Sequence, residues 1–65
     1  MTRAEFMALL HTYMMENRGQ RKGQASFNLL HSYFPEQVEA VRSTDLDPFY
    51  IESRLPAFLA HFGIV

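Results

Sequence analysis

Three histidines, His11, His31 and His61, are the side chains in this sequence best suited to metal binding or to proton transfer near neutral pH. They fall on three separate predicted helices, and no two stand at the i, i+4 spacing that sets two ligands on one helical face. The spacing predicts imidazoles beside apolar stripes, so neither a metal nor any other cofactor is expected. Asp45-x-Asp47 opens like a calcium loop. Phe49 then occupies the third ligand position, Tyr50 the position that needs glycine, and Pro56 the position of the bidentate glutamate. These two acids are therefore expected to cap and turn the chain. No Ser-His-Asp set, phosphate-cradling glycine loop or carboxylate pair is spaced for catalysis. A domain this small also leaves little room for a ligand pocket of ~300–1,000 Å³. An enzyme is not expected.

Binding is the chemistry left. The run Arg18-Gly19-Gln20-Arg21-Lys22-Gly23-Gln24 is the one concentration of charge. With glycines freeing the backbone, Arg18, Arg21 and Lys22 could grip phosphates at a helix N-terminus. The helix after the next turn argues against a DNA-reading helix pair, because Glu36 and Glu39 would face the phosphate backbone and only Arg42 would help. On the second helix Arg21, Gln24, Asn28 and His31 line one polar face at helical spacing. That face suits water, or a hydrogen-bonding patch for a protein partner, or a bridge from Gln24 or Asn28 to the Thr44–Asp47 turn. Met14 and Met15 on the first helix, together with Tyr50, add apolar and amphipathic surface of the kind that adapts to partners. Such surface is either consumed by the core or left exposed as a site for self-association or a partner.

The elements that must position these residues read as helices. Thr2-Arg3-Ala4-Glu5 has the form of a capping box. Phe6, Leu9, Leu10, Tyr13 and Met14 follow on one face, and Asn17, Arg18 and Gly19 end the pattern, which predicts a helix over 2–18. A second helix runs from a start between 21 and 25 to Phe34, with Phe27, Leu30 and Phe34 as its stripe, and Pro35 stops it. Pro35–Arg42 predicts a short third helix, with Val38, Ala40 and Val41 inward. Asp47-Pro48 is expected to open a turn of helix through Phe49, Tyr50 and Ile51. The last helix covers 53–62, with Leu55, Phe58, Leu59 and Phe62 on one face. Gly63 is its cap, and Ile64 and Val65 pack back behind it.

A chain of 65 residues allows one domain, 1–65. Six Phe, three Tyr and four Met compensate for its size, since each aromatic buries about 150–250 Å². The expected core is Phe6, Leu9, Leu10, Tyr13, Phe27, Leu30, Phe34, Val38, Val41, Phe49, Leu55, Phe58, Leu59 and Phe62, with Phe49 and Tyr50 pinning the Thr44–Pro48 turn. There are no cysteines, which excludes disulfides and thiolate zinc sites and fits the cytoplasm. A net charge of −1 gives no global field for nucleic acid or membrane. No membrane span or targeting segment is expected.

The pattern Arg21-x-Gly23-Gln24-x-x-Phe27-Asn28-x-Leu30, then Pro35-Glu36, then Thr44-Asp45-Leu46-Asp47-Pro48-Phe49-Tyr50, then Arg54-Leu55-Pro56-x-Phe58 resembles a group of small proteins of tailed bacteriophages and prophages. The resemblance spans about residues 18–62 and implies a setting, infection of a bacterium, without a mechanism. The fold expected is all-α, a small irregular bundle of three to four short helices. The function expected is a non-enzymatic protein-binding module, of the kind a phage accessory protein would be in engaging a host protein. The alternative is a small nucleic-acid binder using connector 18–24, and a third reading is a homodimer formed through the first helix.

Overall fold

A computed structural model describes residues 1–65 and contains four α-helices, one 3₁₀ turn and no strand. α1 spans Arg3–Glu16, α2 Lys22–Tyr33, α3 Pro35–Val41 and α4 Leu55–His61, with the 3₁₀ turn over Glu52–Arg54. α1 begins at the capping box read from the sequence. The Glu5 amide donates to Thr2 Oγ1 at 3.1 Å and the Thr2 amide donates to Glu5 Oε1 at 2.8 Å. α1 ends before Arg18: Asn17 leaves the helical region and its Nδ2 donates back to the Tyr13 carbonyl at 2.9 Å. Gly19 then takes a φ of +98°, a conformation a side chain would strain.

α2 is the central element, packed against α1, α3 and the 3₁₀ turn. It buries Ala25, Ser26, Phe27, Leu29 and Leu30, a broader face than the expected stripe of Phe27, Leu30 and Phe34. Neighbours on several sides make it so. Phe34 is only half-buried, because it leaves helical geometry to serve as both the end of α2 and the start of α3. Val38 and Val41 face inward as expected, but Ala40 is exposed. A helix of seven residues against one neighbour buries only its i, i+3 row.

The expected helical turn through Phe49–Ile51 does not form. The Asp47 carboxylate accepts from the Phe49 amide at 2.9 Å, a local bond that competes with helix. Helical geometry resumes at Glu52 as the 3₁₀ turn and becomes α4 at Leu55, with Pro56 in the first turn. At the far end Gly63 adopts a φ of +73°. Its amide donates to the Ala60 carbonyl, and that of Ile64 to Leu59, both at 2.9 Å, which satisfies the last carbonyls. Ile64 is buried by this reversal, whereas Val65 points out and stays exposed.

Phenylalanines form the spine. Phe49 meets Phe27 edge-on at 5.4 Å, Phe27 stacks on Phe58 at 6.0 Å, Phe58 meets Phe62 at 5.1 Å, and Phe62 stacks on Phe34 at 6.2 Å. This ladder joins α2, α4 and the loop before it. Phe6 and Leu10 bring α1 onto the same core. Leu9, Tyr13, Phe49 and Phe62, expected inside, are half-buried at its edge, while Ala25, Leu29 and Ile64 belong to the core proper.

Candidate functional site

Residues 42–51 form no regular structure, yet they are held at many points. Asp47 organises them: one carboxylate oxygen accepts from the Ser43 amide at 2.7 Å and the other from the Phe49 amide at 2.9 Å. Thr44 closes the turn from the other side. Its hydroxyl donates to the Val41 carbonyl at 2.6 Å, and its own carbonyl accepts from the Asp47 amide at 3.1 Å. Ser43 is held at a φ of +63°, an uncommon conformation for a residue with a side chain. Both acids were expected to make turns, and Asp47 does so; the Asp45 side chain is exposed, 3.9 Å from Arg54 Nη2.

α2 braces this loop through its N-terminus. The Arg21 guanidinium donates to the Phe49 carbonyl. The Gly23 amide donates to Glu52 Oε1 at 2.6 Å, so a side chain from the 3₁₀ turn supplies the cap that α2 lacks locally. The approach is close enough to require glycine. A Cβ at position 23 would lie 2.5 Å from the Pro48 carbonyl oxygen and 2.6 Å from Glu52 Oε1. Arg54 completes the frame, its Nη1 donating to the Thr44 carbonyl at 3.1 Å. Gly23 thus lies inside the first turn of α2, which settles where that helix begins.

The frame leaves one depression, of about 210 Å³, lined by Arg42, Ser43, Asp47, Phe49, Tyr50, Ile51 and Arg54. Tyr50 is 80% exposed and Ile51 41% exposed at this site. Tyr50 therefore does not pin the turn as expected. Phe49 does, turned inward onto Phe27, while the Tyr50 ring meets only the edge of Phe49 at 4.8 Å. Arg42 lies over the Phe27 ring at 5.0 Å and donates from Nε and Nη2 to Glu39. This bond holds the Glu39 carboxyl below its ordinary pKa and raises that of Arg42. His31 Nε2 reaches the same carboxylate at 2.9 Å, so α2 and α3 are tied through Glu39.

Of the nine residues singled out in the sequence, Arg21 and Tyr50 meet at this loop, and His31 abuts it through Glu39 and Arg42. Arg18 and Lys22 stay exposed with no side-chain partner. The Gln24 side chain makes no hydrogen bond, and Asn28 donates to Gln20 at 3.3 Å, so the expected bridge from Gln24 or Asn28 to the Thr44–Asp47 turn is absent. Arg21 and Gly23 make the equivalent tie one step further along, to Phe49 and Glu52. Met14 packs at the core's edge and Met15 is 55% exposed, both on α1 and outside the lining of the depression. Arg42, Ser43, Ile51 and Arg54 were not foreseen there. Nothing in a one-dimensional pattern signals the left-handed Ser43 that aims them together. No three His, Asp or Glu side chains converge in metal-binding geometry, and no helix is long and apolar enough to cross a membrane. No protein-family model, curated protein or solved structure matches the chain.

Proposed function

We propose that this chain is a non-enzymatic protein-binding module whose contact surface is the Phe49–Ile51 loop. One observation carries the reading: a tyrosine exposed at 80% and an isoleucine exposed at 41% stand side by side on a backbone braced from both flanks. Tyrosine brings large amphipathic area at low entropic cost and is enriched in contact surfaces. A loop already held in one shape has little conformational freedom left to lose on binding. In the phage setting that the sequence pattern suggests, the partner is a host protein, engaged by a small accessory protein. The rival assignment to nucleic acid has two unengaged cations in the connector, Arg18 and Lys22, because Arg21 is engaged by Phe49. Affinity capture from bacterial lysate tests the proposal. The unmodified chain retains a defined protein at physiological salt, and Tyr50→Ala loses at least tenfold of it. Equal recovery by both proteins, or recovery of nucleic acid that disappears with salt, contradicts it.

A further inference from the structure

We propose that segment 43–54 is a strap that opens and closes as one unit with the first turn of α2, while the rest of α2 and the other helices stay packed. This coupling holds whatever the loop contacts. The two ends of the strap are fixed, because Val41 before it and Leu55 after it are both buried in the core. Between them its backbone amides bond only locally. The middle is held across to α2. Pro48 is fully buried, and its carbonyl oxygen lies where a side chain at position 23 would need to be. One helical turn further along, Phe49 meets the Phe27 ring. Positions 23 and 27 share one face of α2. The strap therefore closes along a single ridge, with Arg21 and Glu52 bonded across its outer end.

The dependence is mutual. By itself the first turn of α2 is a poor helix start. Arg21 at the cap makes no side-chain capping bond, and no acid stands in the first turn. Arg21 and Lys22 place positive charge at the positive end of the helix dipole, and Gly23 weakens the helix through its freedom. From the strap, Glu52 supplies both the acceptor and the negative charge that these residues lack. In return, the Phe49 carbonyl accepts its side-chain bond from Arg21. Both bonds, and the seat of Pro48 on Gly23, require one register between strap and helix, so none survives when that register is lost. Cooperative units of this kind open at a lower free energy than global unfolding.

Native-state amide hydrogen exchange on the full chain, read by NMR, tests this. In the unmodified chain the Ala25, Phe49 and Arg54 amides are expected to exchange through one opening, with a shared denaturant dependence. Two variants then cut opposite sides. Glu52→Ala removes the cap on α2 and touches no bond within 43–49. It is expected to lower the protection of Ser43, Phe49 and Ala25 alike by about fivefold, the change that loss of a helix cap produces. Asp47→Ala loosens the strap and touches no bond of α2. It is expected to lower the protection of Gly23 and Ala25 by the factor seen at Arg54. The Phe34 amide, bonded to Leu30 at the other end of α2, stays within about twofold in both variants. Separate denaturant dependences in the unmodified chain, or losses confined to the side that was cut, overturn the proposal, because loop and helix start then open independently. Loss at Phe34 by the same factor as at Ala25 also overturns it, because the strap then has no opening apart from global unfolding.

Discussion

Two buried positions on α2 pull stability in opposite directions. Ser26 is fully buried and its hydroxyl has no hydrogen-bond partner. A buried donor without a partner costs about 1–3 kcal/mol, and alanine is the better helix former. Ser26→Ala is therefore expected to stabilise the chain by about 1 kcal/mol, raising Tm by about 4–8 °C in a thermal melt. Gly23 is the reverse case. In an open helix Gly→Ala would gain about 1 kcal/mol. Here the new methyl would sit 2.5 Å from a backbone oxygen and displace the Glu52 cap. Gly23→Ala is expected to destabilise by about 2 kcal/mol or more, seen as a lower denaturant midpoint. Tyr50→Ala is expected to leave stability within about 0.5 kcal/mol, since so exposed a side chain has little packing to lose. The need for glycine at position 23 was not readable from its neighbours in sequence, because the atoms that demand it belong to Pro48 and to Glu52, which is 29 residues away.

Between elements, the tie most sensitive to pH is Glu39, which joins α3 to α2 through His31 and to the loop through Arg42. The Arg42 hydrogen bond lowers the folded-state pKa of Glu39. A group lowered on folding contributes stability above its unfolded pKa and loses it as pH falls through the folded value. Thermal melts of Glu39→Gln and the unmodified chain should therefore differ near neutrality and converge below the ordinary carboxylate range. The effect is small, because the pair is exposed and screened by salt. Element ends that use only local chemistry were legible: the Thr2–Glu5 box, the proline starts of α3 and α4, and the Gly63 reversal. The start of α2 and the path of 47–51 were not. In the first the cap comes from a distant glutamate, and in the second the Asp47 carboxylate diverts the chain from helix.

At the scale of the whole molecule, the Cα radius of gyration is 10.7 Å, close to the ~11 Å of a compact globule of this length. The ladder from Phe49 to Phe34 explains how so short a chain reaches it. Phenylalanines at helical spacing made the core largely readable from sequence, although Leu29, Ala25 and Ile64 joined it only through packing from several sides. The candidate surface was read in part. Tyr50 and Arg21 carried a signal, while Arg42 and Arg54 reach the same depression only through the folded loop. The central claim is that Tyr50 is displayed by a loop held in one shape before any partner arrives. Backbone ¹⁵N relaxation of the free chain measures this directly. Order parameters near 0.85 at Phe49, Tyr50 and Ile51, falling in Arg21→Ala, are the predicted result; values below about 0.6 in the unmodified chain would contradict it.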